Sequence, residues 1–144
     1  MKLVTYDGGK VGRIEGDEVV RLDVGSMREY FERGGAAAAD GRVALAEVDL
    51  EAPIVPRKFF HTAGNFREHE DESKRVEWSH EIAPWIVFFQ NVDAIVGPDE
   101  PVVHPEHLTD ELDYELELAV VIRKAGKWFS PEAARARESG SPRS

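Results

Sequence analysis

The segment from Leu112 to Ile122 constrains the fold most, because apolar and acidic side chains alternate along most of it. Alternation with a period of two is typical of a β-strand, in which successive side chains point to opposite faces. One face would carry Tyr114, Leu116, Leu118, Val120 and Ile122, and the other Glu111, Asp113, Glu115 and Glu117, followed by Ala119 and Val121. The pattern therefore predicts a strand with one packed face and one acidic face.

The acidic face of this strand could bind a metal ion. Side chains two residues apart on a strand lie roughly 6–7 Å apart, so two carboxylates can reach one cation. Oxygen ligands favour Mg²⁺, Mn²⁺ or Ca²⁺ over zinc. A solvated acidic face is the more ordinary alternative, and the spacing alone leaves both open. The change from acids to Ala119 and Val121 favours a functional role.

A second cluster of titratable residues follows Gly64. Asn65 to Val76 is rich in Glu, Lys, Arg and His, which predicts a helix capped near Asn65. His69 and Glu72 would share one face of that helix. A carboxylate beside a histidine favours the protonated ring and orients it, which suits a general acid or base. A surface helix of mixed charge is the alternative.

The composition excludes several classes of function. Lys and Arg total 18 against 28 Asp and Glu, so the formal net charge is −10. Such a surface argues against nucleic acids and anionic membranes as partners, and an anionic small molecule would need a cation to compensate. Cysteine is absent, which excludes disulfides and thiolate sites. With no secretory leader or membrane-length apolar run recognised, a cytoplasmic protein is predicted.

The remaining elements are predicted from local signals. Strands are expected at Lys2–Tyr6, Lys10–Ile14, Glu18–Asp23, Pro84–Gln90 and Pro101–His104, with the Pro84–Gln90 strand buried on both faces. Ser26 and Glu29 form a capping box that opens a helix through Glu32. Val43–Leu50 is expected to be partly strand, and a further helix begins after Ser130. Two prolines near residue 55 suggest a boundary, giving a small domain at 1–55, a second unit at 56–134 and a tail of disorder-like composition at 135–144.

Three stretches together resemble the fumarylacetoacetate hydrolase family. They are Gly64-Asn65-Phe66-Arg67-Glu68-His69 with Glu72, Ile95-Val96-Gly97-Pro98, and Asp113-Tyr114-Glu115-Leu116-Glu117 continuing through Ile122. The resemblance implies an α+β, mainly β fold: the first part of the family's mixed β-sandwich or roll, preceded by a small N-terminal α/β domain.

The resemblance also implies a chemistry for individual residues. Glu115 and Glu117 match two ligands of Mg²⁺ or Mn²⁺, with Ca²⁺ as a further candidate, and His69 and Glu72 match the pair that activates water or moves a proton. Gln90 stands where many members have a substrate-contacting lysine. The third metal ligand of the family would fall beyond Ser144, so the chain is interpreted as a truncated or frame-shifted member.

Three functions follow from this resemblance. The first is metal-dependent hydrolysis of a C–C bond in a β-diketo acid or acylpyruvate. The second is isomerisation or decarboxylation of an oxo- or hydroxy-dienoic dicarboxylate, and the third is a catalytically inactive fragment. The expected partner is a small keto or dienoic acid, and a homodimer is common in the family.

Overall fold

The computed structural model describes residues 1–63, 71, 74–75 and 86–135. The chain divides into two compact units, Met1–Ile54 with Val96–Ser144, and Val55–Ile95. The architecture is mostly sheet with few helices, as the sequence predicted. The three-part domain division stays a prediction, and the tail from residue 136 onward lies outside the described residues. In the part described, no helix is long and apolar enough to cross a membrane.

An antiparallel sheet of five strands forms the core of the first unit. Its strands are β1 (Lys2–Tyr6), β2 (Lys10–Glu15), β3 (Glu18–Leu22), β4 (Ala39–Ala44) and β5 (Leu50–Glu51), in the spatial order β4-β3-β2-β1-β5. The first three strands confirm the prediction to within one residue. They follow one another because tight, glycine-containing turns return the chain at once.

The strand order places β2 in the middle of the sheet, where its neighbours crowd it. Val4 of β1 and Arg21 of β3 both lie opposite Gly12. A Cβ atom at Gly12 would come within 2.3 Å of the Val19 side chain. Glycine at this position therefore reflects the close packing of neighbouring strands.

The fourth and fifth strands differ from the prediction for Val43–Leu50. Strand β4 begins earlier, at Ala39, and pairs with β3 through an irregularity between Val20 and Leu22. A short 3-10 helix, Leu45–Glu47, separates it from β5. Residues 39–42, which precede Val43, show no alternation of apolar and polar side chains. They belong to the sheet because they pair with β3, which local sequence does not reveal.

Helix α1 (Met27–Glu32) covers the core beside this sheet. Ser26 is its N-cap, and its hydroxyl oxygen accepts the backbone N–H of Glu29 at 3.1 Å. The predicted helix is confirmed. Its buried residues, Met27 and Tyr30, are three apart and share a face. They pack with Val11 and Leu22 of the sheet into one apolar cluster.

The second unit contains a two-stranded antiparallel hairpin. Strands β6 (Phe59–Thr62) and β7 (Val87–Gln90) pair so that Phe60 lies opposite Phe89, with ring centroids 4.5 Å apart. The expectation that the Pro84–Gln90 strand is buried on both faces is wrong for its described part. All four β7 residues are exposed, and Phe89 exposes 73% of its surface. An apolar run signals a tendency to be buried, but burial needs a covering element.

The rest of the first unit contains little regular structure. A turn follows Val96, in which the Glu100 N–H donates to the Gly97 carbonyl at 3.2 Å. The predicted strand Pro101–His104 does not form. A short helix, Pro131–Arg135, begins after Ser130 as predicted, and Ala133 N–H donates to the Ser130 hydroxyl at 3.3 Å.

Candidate metal centre

The acidic segment from Glu111 to Glu117 is the candidate metal centre, and its conformation differs from the prediction. Residues 112–121 lie outside any helix or strand, and Ile122 forms a single bridge. The predicted strand Leu112–Ile122 is therefore not formed here. Alternation determines which side chains share a face, but a strand forms only when a neighbouring strand takes up its backbone N–H and C=O groups.

Local hydrogen bonds engage the start of this segment. The Thr109 hydroxyl accepts the Glu111 N–H at 3.0 Å and donates to the Glu111 carbonyl at 3.2 Å. Asp113 accepts the N–H of Tyr114 at 2.8 Å. These short-range bonds are typical of turns, in which polar side chains bond to the adjacent backbone. Among the acids of the segment, these bonds engage the carboxylate of Asp113 and not those of Glu111, Glu115 or Glu117.

Glu115 and Glu117 are exposed, and within the described ranges their carboxylates make no hydrogen bond or ion pair. Their oxygen donors have the right chemistry for a hard divalent cation. Across the described residues, however, no group of three or more His, Asp or Glu side chains is gathered closely enough to hold a metal. The described residues thus contain two carboxylates of suitable chemistry but no complete site, and the ligand roles of Glu115 and Glu117 stay predictions.

The predicted proton-handling pair, His69 and Glu72, lies outside the described residues. Among their neighbours, Asp71, Lys74 and Arg75 are helical, and the Lys74 ammonium lies 4.0 Å from the Asp71 carboxylate. The roles of His69 and Glu72 stay predictions.

Gln90, the candidate substrate contact, ends strand β7. It lies opposite Phe59 in the hairpin and is exposed. Gln90 belongs to the second unit, whereas Glu115 and Glu117 belong to the first. Each unit is described by itself, and the role of Gln90 stays a prediction.

His61 is a residue whose unusual environment the sequence did not reveal. Its ring stacks on Phe88 with centroids 5.4 Å apart and lies 4.6 Å from the ring of Phe59. The Nε2 atom is buried and has no hydrogen-bond partner among the residues that the structure describes. A buried polar atom without a partner is costly. The sequence Phe59-Phe60-His61 could have indicated that the histidine lies among aromatic rings. It could not have indicated that Nε2 lacks a hydrogen-bond partner among the described residues.

A polar cleft of about 210 Å³ lies on the first unit, lined by Tyr6, Asp7, Lys10, Arg21, Asp40, Gly41, Arg42 and Val43. Its charges are largely matched, because Lys10 pairs with Asp7 and Arg21 with Asp40, each at 3.5 Å. Burial raises the pKa of Tyr6, Arg21 opposes this shift, and Asp7 and Asp40 reinforce it. Because these charges are paired, the cleft exerts little net electrostatic attraction on a ligand. It is therefore a weaker candidate for a functional site than the segment Glu111–Glu117.

The model of the fumarylacetoacetate hydrolase C-terminal domain matches residues 58–138, more than half of the chain. The chain belongs to the fumarylacetoacetate hydrolase family. This match contains the predicted site residues His69, Glu72, Gln90, Glu115 and Glu117.

Two relatives support the assignment to the same family. A fumarylacetoacetate hydrolase domain-containing protein 2 homologue of Dictyostelium discoideum is 36% identical over 93 residues, which cover 65% of this chain and 29% of that protein. The mitochondrial oxaloacetate tautomerase FAHD2A of Bos taurus is 34% identical over 125 residues, which cover 80% of this chain and 38% of that protein. The chain thus spans about a third of these relatives.

A solved structure shares the fold. The fumarylacetoacetate hydrolase of the psychrophile Exiguobacterium antarcticum superposes with a TM-score of 0.65 at 25% identity. The superposition covers 95% of this chain and 51% of that one. The predicted family fold is therefore confirmed, with the chain spanning about half of that structure.

Proposed function

We propose that this chain forms part of a divalent-metal-dependent hydrolase that cleaves a C–C bond in a β-diketo acid or an acylpyruvate. The observation that carries the proposal is the state of Glu115 and Glu117. Both carboxylates are exposed and make no hydrogen bond or ion pair in the described ranges, and both lie in the region that matches the family. Two carboxylates only two positions apart, both exposed and without partners in the described ranges, are available as oxygen ligands of one cation.

Glu115 and Glu117 would each supply an oxygen ligand to Mg²⁺ or Mn²⁺, and further ligands would come from outside the described residues. When bound, such an ion stabilises the negative charge that develops on the oxygens of a keto acid during C–C cleavage. It would also supply the positive charge that a protein of net charge −10 lacks for an anionic substrate.

His69 and Glu72 would handle the proton. A neutral histidine can take a proton from water, and a neighbouring carboxylate stabilises the charged ring that results. Gln90 would contact the substrate through its amide, which both donates and accepts hydrogen bonds. The neutral amide of Gln90 would bind a substrate carboxylate less strongly than a lysine would. More of the substrate's negative charge would then have to be balanced by the metal.

A second candidate function is isomerisation or decarboxylation of a keto or dienoic acid. It is favoured by the 34% identity to an oxaloacetate tautomerase over 80% of this chain. Keto–enol tautomerisation needs a proton to move and charge on the substrate oxygens to be stabilised, and it breaks no C–C bond. Glu115, Glu117, His69 and Glu72 could serve this reaction as well. An inactive fragment is the third candidate, because the chain spans only about a third of these relatives.

Metal binding tests the ligand assignment. Titration calorimetry of the full chain with Mn²⁺, and separately with Mg²⁺, is expected to show binding that Glu117→Gln weakens at least about tenfold. Glu47→Gln, an exposed glutamate on the short 3-10 helix, is the matched control and should leave the affinity unchanged. Equal weakening in both variants would overturn the assignment of Glu117, whereas no binding by the parent chain would favour the inactive fragment.

Turnover separates the candidate functions. The metal-loaded chain is assayed on an acylpyruvate for loss of substrate and on oxaloacetate for keto–enol conversion. Activity on the first alone supports the hydrolase, and activity on the second alone supports the tautomerase. Metal binding with neither activity identifies the inactive fragment. His69→Ala is expected to lower the observed turnover about 100-fold with unchanged Mn²⁺ affinity; unchanged turnover would exclude His69.

A further inference from the structure

The chain contains two Asp-Gly sequences, Asp7-Gly8 and Asp40-Gly41. In such a sequence the amide nitrogen of the glycine can attack the side-chain carboxyl carbon of the aspartate, because glycine has no Cβ atom to hinder the approach. The first sequence is held by hydrogen bonds at both reacting groups, whereas the second lies exposed in an irregular edge strand. We propose that Asp40 isomerises spontaneously to isoaspartate and that the fold protects Asp7 from the same reaction.

The reaction at Asp40 needs only water. The Gly41 nitrogen forms a bond to the side-chain carboxyl carbon of Asp40, and the proton of the nitrogen leaves with the carboxyl OH group as water. The product is a cyclic succinimide. A water molecule then breaks the bond from the nitrogen to one of the two ring carbonyl carbons. If the bond to the main-chain carbonyl breaks, Gly41 stays joined through the former side chain, which is isoaspartate. Neither an oxidant nor a metal takes part, so the reaction is independent of the proposed function.

Both reacting groups of Asp7-Gly8 are engaged. One oxygen of the Asp7 carboxylate accepts the Asp49 N–H at 2.9 Å, and the other lies 3.5 Å from the Lys10 ammonium. The Gly8 N–H, whose nitrogen would have to attack, donates to the Glu51 carboxylate. A hydrogen bond to a charged acceptor is stronger than a neutral one. The attack would have to break this bond and turn the carboxylate away from its donors, so the fold slows the reaction here.

Asp40-Gly41 is held much less firmly. Strand β4 is at the edge of the sheet, and its register sets both residues opposite the single residue Arg21. Such a bulge disrupts the ladder locally. Gly41 has a φ of +93°, and nothing lies within 4 Å of where its Cβ would be. The Asp40 side chain is 57% exposed, against 32% for Asp7, and its 3.5 Å contact with Arg21 is a weak surface ion pair.

Isomerisation would change strand β4 itself. The main chain between positions 40 and 41 would gain one carbon atom, and the remaining carboxylate would be attached directly to Cα instead of through Cβ. The ion pair with Arg21 would lose its geometry, and the pairing of Ala39 with Leu22 beyond the bulge would be disturbed. The aged chain should therefore unfold at a lower urea midpoint than the fresh chain.

Ageing of the full chain at physiological temperature and neutral pH tests the proposal. Peptide mapping with electron-transfer fragmentation distinguishes isoaspartate from aspartate at each position. Asp40 should isomerise at least about tenfold faster than Asp7, the factor that loss of one charge-assisted hydrogen bond would give. In denaturing urea the two rates should become similar, because both sequences are Asp-Gly. Equal rates in the folded chain, or a difference that persists in urea, would overturn the proposal.

Two variants test the structural cause. Glu51→Ala removes the acceptor of the Gly8 N–H and should raise the rate at Asp7 about tenfold, with the rate at Asp40 unchanged in the same sample. An equal rise at both positions would contradict protection by this hydrogen bond. Asp40→Glu keeps a carboxylate but would need a larger, slower-forming ring, so its urea midpoint should not fall on ageing. A fall as large as in the parent chain would contradict a role for Asp40.

Discussion

Glu51 and Gly9 join the last strand of the five-stranded sheet to its first turn. The Glu51 carboxylate accepts the Gly9 N–H at 3.1 Å and also accepts the N–H of Gly8. Successive N–H groups of a glycine turn form a concave anion site, and here the protein's own carboxylate fills it. The backbone N–H groups of Gly8 and Gly9 thus anchor β5 through Glu51.

Removing this carboxylate should destabilise the first unit. Glu51→Ala leaves two N–H groups without their charged acceptor, so we expect the free energy of unfolding to fall by about 1–3 kcal/mol. Urea unfolding followed by circular dichroism measures the change. Glu47→Ala serves as the control and should change stability by less than about 0.5 kcal/mol. Equal losses in the two variants would show that the turn does not depend on Glu51.

The N-cap of helix α1 offers a second test. Ser26→Ala removes the acceptor of the Glu29 N–H and should cost about 1 kcal/mol of stability. Ser26→Asp keeps an acceptor at the same position and should retain most of the parent stability. A loss in the aspartate variant as large as in the alanine variant would contradict a capping role.

Stability at low pH should depend on Glu15. Hydrogen bonds from Arg13 and then Arg42 lower the pKa of this carboxyl below 4.5. A depressed pKa in the folded state gives a contribution that is present above the unfolded pKa and lost as pH falls through the folded pKa. The stability difference between parent and Glu15→Gln should therefore shrink below pH 4.5. Glu47→Gln should show no such convergence in urea midpoints measured from pH 6 to pH 3.

Stability at high pH should depend on Tyr6, which is 2% exposed. Because burial raises its pKa above 10.0, the folded state favours the neutral phenol. Its contribution is complete below the unfolded pKa and is lost as pH rises through the folded pKa. Tyr6→Phe should flatten the decline in stability above pH 10. Tyr114→Phe, at an exposed position, should leave that decline as steep as in the parent chain.

Substituting His61 should move stability in the opposite direction to substituting His104. His61→Phe removes a buried nitrogen that has no partner in the described part of the chain, and should raise stability by about 1 kcal/mol. His104→Phe loses a 2.8 Å hydrogen bond to the Thr109 carbonyl and should lower stability by a similar amount. Melting temperatures of the two variants would show this. A decrease for His61→Phe would mean that its nitrogen has a partner in solution.

Local signals predicted residues 2–32 of the first unit well. The serine cap and the short strands from Lys2 to Leu22 lie where the sequence placed them, because each depends on residues only a few positions apart. The capping box was right in its first half only. Glu29 accepts the N–H of Gly25 at 2.7 Å, a choice among adjacent donors that the three-dimensional path of the chain decides.

Non-local pairing decided the rest. The sequence alone determined that Glu115 and Glu117 share a chemistry and a face, and the family resemblance rested on the residues around them. It could not determine which backbone would pair with residues 112–121, nor what would cover Val87–Gln90, because both depend on a neighbour distant in the chain or on another molecule. Alternation specifies which side chains would share a face if a segment were a strand. The segment becomes a strand only when tertiary contacts provide a partner for its backbone hydrogen bonds.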